Sequence, residues 1–186
     1  MDNKITKWSV LEPLLQQDNL HLREISRILK KPHASLRKHL SSFEKEGIVR
    51  KEIKGRMTFY RINYSNSLII DYLTIVEKER LVYKCKREPL INELVSFLHQ
   101  YLKEENRALI FGSSVNDFKK ANDIDLIITG KIDFEKKLID FEKKFNLKVH
   151  LINVKDLNEI KEGLKIEVKK KHLIIQGSEE VIKWLV

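Results

Sequence analysis

The chain holds a single cysteine, Cys85, among its 186 residues. One thiol excludes an internal disulfide and a cysteine-based zinc cluster. Long apolar runs are also missing: the uninterrupted ones span only a few residues, far short of the roughly 20 that cross a bilayer as a helix. No signal peptide is expected, because Met1 to Lys7 is polar and leads straight into an amphipathic segment. Proline and glycine are sparse, at three and six residues, and no repeat or low-complexity tract is evident. With 42% hydrophobic residues the chain reads as globular, one medium domain or two small ones. A cytoplasmic protein without a membrane partner is the expectation.

What the chain has in excess is positive charge, unevenly placed. Residues 1–63 carry 14 Lys/Arg against 7 Asp/Glu, a net of +7, whereas residues 64–186 carry 22 against 20. A basic excess confined to one small region suits a polyanionic partner, since neutralised phosphates release condensed counterions. A solvated lysine-rich surface gives the same count, so charge alone leaves both open.

Apolar periodicity predicts helices over residues 7–16, His21–Lys30 and from Ala34 to Gly47, the last with Leu36, Leu40 and Phe43 on one face. Pro32 breaks the second, and Gly47 suits a left-handed cap on the third. Ile48 through Ile53, the tip Lys54-Gly55-Arg56, and Met57 through Ile62 form a hairpin signal. Three helices and a hairpin, with Ser35-Leu36-Arg37-Lys38-His39-Leu40 and Glu44-Lys45-Glu46-Gly47-Ile48-Val49-Arg50, resemble the winged helix-turn-helix of bacterial and archaeal transcriptional repressors. The resemblance implies that the third helix enters a major groove and that the wing tip touches the flanking backbone of double-stranded DNA.

The helical wheel supports this independently. With Leu36, Leu40 and Phe43 facing inward, Ala34, Lys38, Ser41 and Lys45 point outward, with Ser35 and Arg37 on the flanks. Short polar and cationic side chains suit base edges and phosphates. Ser35, Arg37, Lys38, Ser41, Lys54 and Arg56 are therefore the expected DNA contacts. His33 is read as a cap of the third helix or a base reader; His21 and His39 receive no role. A winged helix used only for protein contacts is the bland alternative.

Residues 66–88 alternate apolar clusters with charges, as a helix with one broad apolar face does. That face has two open uses: a homodimer contact, or packing on the C-terminal domain. Pro89 starts a further helix, to about Lys103.

In the second half, Ala108–Phe111 reads as a buried strand, followed by Gly112-Ser113 and, nine residues on, by Asp123-Ile124-Asp125 opening another strand. Carboxylates at i and i+2 share a sheet face. Two acids so close repel unless a cation lies between them, and Mg2+ with substrate phosphates is the usual answer. Glycine and serine after the first strand allow a phosphate to approach the backbone. The pattern resembles the minimal nucleotidyltransferases of the DNA polymerase beta superfamily over about residues 89–186. The resemblance implies that Gly112 and Ser113 hold a nucleoside triphosphate and that Asp123 and Asp125 bind Mg2+. Two departures stand out. The third carboxylate such enzymes carry is replaced by His150 on the strand Leu147–Asn153, the candidate catalytic group or an ordinary half-buried sheet residue. An Ala-Arg-Gly run is replaced by Val115-Asn116-Asp117. A basic helix Leu157–Lys171, a strand from His172 and a helix capped by Ser178 complete the chain.

The expected fold class is α+β: a winged helix-turn-helix at 1–65, a helical connector at 66–88, and a nucleotidyltransferase-like mixed sheet with flanking helices at 89–186. The expected function is DNA binding and regulation of transcription, by a chain whose second domain holds Mg-nucleotide. The alternative is an active Mg-dependent nucleotidyltransferase modifying a protein or nucleic acid, related by analogy to toxin–antitoxin pairs.

Overall fold

The structure, a computed structural model, describes residues 6–115, 118 and 123–186. Met1–Ile5 of the polar opening lies outside these residues, as do Asn116 and Asp117 of the Val115-Asn116-Asp117 departure. The fold is α+β, and the chain divides into two compact units, Met1–Glu79 and Arg80–Val186. No helix among the described residues is long and apolar enough to cross a membrane.

The first unit opens with a 3-10 turn, Trp8–Val10, and α1 (Glu12–Gln16). The single helix expected over 7–16 is thus broken. Pro13 sits in the first turn of α1 and has no N–H to continue a ladder from upstream, so the helix restarts there. A two-residue strand β1 (Leu20–His21), unforeseen in the sequence, precedes α2 (Leu22–Leu29). His21 caps α2: its ring Nδ1 accepts from the Arg23 N–H at 3.1 Å, and Glu24 Oε2 accepts from the His21 N–H at 2.8 Å. That reciprocal pair satisfies two donors the helix leaves open. Pro32, in extended conformation, leads into α3 (His33–Lys45). His33 is therefore the first helical residue and no side chain caps α3, which corrects the capping role read for it.

Leu36, Leu40 and Phe43 are fully buried, as the wheel requires, and Leu14, Leu15, Ile25 and Ile62 are buried with them. Each such side chain contributes about 1.5–3 kcal/mol relative to exposure. Gly47, at φ +69°, turns the chain out of α3 into β2 (Val49–Lys54). β3 (Met57–Ile62) pairs antiparallel with β2, Val49 opposite Ile62 and Lys54 opposite Met57, leaving Gly55-Arg56 as the tip. β1 joins the other edge of β3, with His21 opposite Phe59. The helix α4 (Ile69–Arg87) follows.

In the second unit, α5 (Pro89–Tyr101) precedes β4 (Ala108–Phe111), a 3-10 turn at Ser113–Val115, β5 (Asp123–Thr129), α6 (Glu135–Phe145) and β6 (Lys148–Val154). Then come α7 (Glu162–Lys170), β7 (His172–Gln176) and α8 (Ser178–Leu185). The sheet order is β6-β5-β4-β7, with β5 and β6 parallel and β4 antiparallel to β5 and β7. Leu94, Leu98, Ile110, Leu126, Phe134 and Leu173 fill its core.

Two expectations are corrected here. The basic helix over Leu157–Lys171 is split into a 3-10 turn, Leu157–Glu159, capped by Asp156, and α7. Between them Ile160 is buried on an extended backbone, so core packing overrides the helical pattern. Ser178 does not cap α8; Gly177 does, at φ +74° and without a side-chain bond. Glycine suits that place twice over, since its φ is positive and the Arg107 side chain occupies the space a Cβ would take.

Candidate functional site

α3 presents Ser35, Arg37, Lys38 and Ser41 as exposed side chains, and the hairpin tip presents Lys54 and Arg56. Tertiary packing brings only some of these together. A groove of about 720 Å³ runs between the first turns of α2 and α3 and the outgoing strand of the wing. Arg37 and Arg56 line it, joined by Arg23, His21, His33 and Thr58. Its one acid is Glu24, whose carboxylate is held by the His21 N–H. Neither Arg37, Lys38 nor Arg56 has an acid within ion-pair distance among the described residues. Uncompensated guanidinium groups around an open hollow leave a field that an anionic strand neutralises.

Ser35, Lys38 and Ser41 stand on the exposed face of α3 but do not line that groove. Lys54 belongs to a second hollow of about 450 Å³, with Arg50, Arg61, Asp18 and Glu52. Its ammonium is 3.2 Å from the Glu52 carboxylate and 5.8 Å from the Phe59 ring, so its charge is partly spent within the wing.

Arg23, His21 and Thr58 were not singled out by the sequence pattern. Arg23 and His21 reach the groove because β1 pairs with β3, a contact between residues about 40 apart in the chain. The available signal was Glu24 three residues after His21, the spacing of a reciprocal cap, which fixes where α2 begins.

The second unit contains the paired acids. Ile124 is buried while Asp123 is exposed and Asp125 half-buried, so both carboxylates leave β5 on the same side. Phe111 is opposite Asp125 across β4, and Asp125 is level with His150 across the parallel β5–β6 pair. His150 Nδ1 lies 3.4 Å from Asp125 Oδ1. Gly112, at φ +79°, faces the same carboxylate: a Cβ there would stand 2.7 Å from Asp125 Oδ2. Gly112, Asp125 and His150 thus form one constellation. Asp123 is level with Lys148 at the start of the strand, and Ser113 is exposed on the turn after Gly112.

Two carboxylates on one sheet face fit a magnesium ion that brings its other oxygens as water and phosphate. Among the described residues no three His, Cys, Asp or Glu side chains form a metal-holding group. With an imidazole in place of a third carboxylate, the set also lacks the negative charge that a two-ion clamp demands.

Neither a protein-family profile nor a curated protein matches the chain. Among solved structures, the chain is similar to TrmBL2, an archaeal chromatin protein whose structure is described as showing a novel mode of DNA binding. The alignment has 13% identity and a TM-score of 0.30, covering 84% of this chain and 66% of that one, just under two thirds of its length. A likeness this weak decides neither fold nor function.

Proposed function

We propose that the first unit binds double-stranded DNA, with α3 toward the bases and Arg23, Arg37 and Arg56 clamping the sugar-phosphate strand between helix and wing. The observation that carries this reading is the groove itself. It gathers three guanidinium groups from three separate elements, and its one acid is already engaged. Helix-borne cations set register and affinity through phosphates, and the exposed face with Ser35, Lys38 and Ser41 supplies groups suited to base edges. In this reading the chain regulates transcription.

Fluorescence anisotropy with a labelled duplex, titrated at several salt concentrations, tests it. Binding should weaken steeply with salt, by several ions in the log–log slope. Arg37→Ala or Arg56→Ala should each lower affinity about equally for every duplex sequence and reduce the salt slope by about one ion, as loss of a phosphate contact does. Equal binding by the parent and both variants overturns the reading.

A second reading concerns the other unit, and the close approach of Gly112 to Asp125 favours it. There a nucleoside triphosphate lies against Gly112-Ser113 while Asp123 and Asp125 hold its magnesium. His150 replaces the third carboxylate, and we therefore place this unit as a binder of Mg-nucleotide ahead of an active nucleotidyltransferase. Calorimetry with each triphosphate, with and without magnesium, distinguishes a bound nucleotide from none; Asp123→Asn with Asp125→Asn should abolish the heat.

A further inference from the structure

Val49, Tyr60 and Ile62 are buried on one face of the β2–β3 hairpin, and Arg50 and Arg61 leave from the other. That outer face holds the hollow of about 450 Å³ to which Lys54 belongs. Arg50 and Arg61 are directly opposite each other across the pair. Neither has an acid within ion-pair distance among the described residues. Arg50 donates to a neutral group, the Ser65 hydroxyl, at 3.2 Å. Like charges facing each other across an antiparallel pair cost stability, and an anion lying over both guanidinium groups removes that cost.

The rest of the hollow has the opposite polarity. Asn19 and Asn63 line it, and each has a buried amide oxygen without a donor among the described residues. The Asn63 amide N–H donates to the Gly47 carbonyl at 2.8 Å, which fixes its oxygen as the unmet group. Asn19 precedes β1, whose register with β3 sets it level with Arg61. Asp18 adds a carboxylate, and Tyr64, 40% exposed, adds an aromatic ring. Glu52, the other acid in the hollow, is 3.2 Å from the Lys54 ammonium.

We propose that this hollow binds one nucleotide, its phosphate on Arg50 and Arg61 and its base against Tyr64, the exocyclic amino group donating to Asn19, Asn63 and Asp18. An inorganic anion would meet the arginines and leave the acceptors unmet, and a bare amine would do the reverse. A nucleotide carries an anion, N–H donors and a π face that stacks on a ring. The volume suits one small ligand. The chemistry is shared by a free nucleotide and by one nucleotide of a single strand. Every residue of the hollow is in the first unit, and neither Arg37 nor Arg56 lines it, so the inference does not rest on the duplex-binding reading.

Calorimetry of the full chain with dAMP, dCMP, dGMP and dTMP tests the site, in a buffer whose chelator withholds magnesium from Asp123 and Asp125. The first three should bind, and dTMP, which lacks an exocyclic amino group, should bind at least about threefold more weakly. Arg61→Ala should weaken all four about tenfold or more, as loss of a charged hydrogen bond does. Asn19 has φ +60°, so glycine replaces it without strain. Asn19→Gly should weaken the amino-bearing nucleotides about two- to tenfold and leave dTMP and inorganic phosphate unchanged. That split is the readout, since a merely structural loss weakens every ligand alike. A deoxyadenylate strand of about ten residues separates the sources. Binding tighter than dAMP, and lost in Arg61→Ala, identifies a single strand; affinity equal to dAMP identifies the free nucleotide. The proposal is overturned by no heat from any nucleotide, by inorganic phosphate or dTMP binding as tightly as dAMP, by Arg61→Ala matching its parent, or by Asn19→Gly weakening phosphate and nucleotides alike.

Discussion

The two candidate sites handle charge in opposite ways. In the α3–wing groove, Arg37 and Arg56 meet no carboxylate within ion-pair distance among the described residues. In the second unit, Asp125 has His150 at 3.4 Å, and away from the site Arg107 meets Glu180 at 2.6 Å. An uncompensated cation cluster on a surface is held by the fold against its own repulsion, and an external anion relieves that. A carboxylate beside an imidazole has a polar neighbour inside the protein, where the groove's Arg37 and Arg56 have none of opposite charge among the described residues. Of the two sites, the groove is the one that looks outward for its counter-charge.

The backbone repeats the contrast. Gly55 at the wing tip and Gly112 beside Asp125 both have positive φ, +60° and +79°. A Cβ at Gly55 would meet nothing within 4 Å, whereas one at Gly112 would strike the Asp125 carboxylate. The wing tip is open, free to meet a partner outside the chain. The turn at Gly112 is closed around a group of the chain itself.

Mutation can test these opposites, beginning with the largest effect. Phe43→Ala removes a fully buried ring of the first unit and should cost about 3–5 kcal/mol. Thermal unfolding followed by circular dichroism should show an early transition moving down while signals of the second unit persist; a single unshifted transition would contradict the division into units. Gly112→Ala combines positive φ with a clash and should cost about 1–3 kcal/mol, while Gly55→Ala, with strain alone, should cost about 1 kcal/mol. Denaturant titration of the pair checks this order, and a costlier Gly55→Ala would reverse the argument about which turn is closed.

The smallest expected effect is a pH dependence. The hydrogen bond from the Lys7 ammonium, at 2.8 Å, and then one from the Ser42 hydroxyl hold the Glu46 carboxyl below the ordinary carboxylate value. A depressed folded value means its stabilisation is present above the unfolded value near 4.5 and is lost as pH falls through the lower folded one. The pair is about a third exposed, so the effect is screened to about 0.5 kcal/mol or less. Melting the parent and Glu46→Gln from about pH 6 to about pH 3 should show a small gap that closes toward acid. A gap that widens instead contradicts the assignment.

Cys85 illustrates how much of a site is legible early. As a lone thiol it excluded disulfides from the sequence, and in the structure burial pushes it above the ordinary thiol range, so little thiolate forms near neutrality. Leu36, Leu40 and Phe43 were equally legible, because helical period alone assigns an inward face. The breaks at Pro13 and Ile160 were less so. Pro13 stands in the first turn of its own helix, where proline is welcome, so its signal pointed both to a start and to a continuation. Ile160 leaves the helix because the core takes its side chain, and no local propensity records that. His21 became a cap through a partner three residues away, yet reached the groove through a strand pairing some 40 residues distant.

Local physics along the chain accounts for the amphipathic helices, the glycine-tipped hairpin, the acids two apart on a strand, and the positive charge gathered in the first third. Which of those charges share a surface was settled by long-range packing alone. Arg23, Arg37 and Arg56 come from three elements, and Gly112, Asp125 and His150 from a turn and two strands. Proximity between distant segments is set by burial of apolar faces and by strand register. Neither is encoded at any single position of the chain.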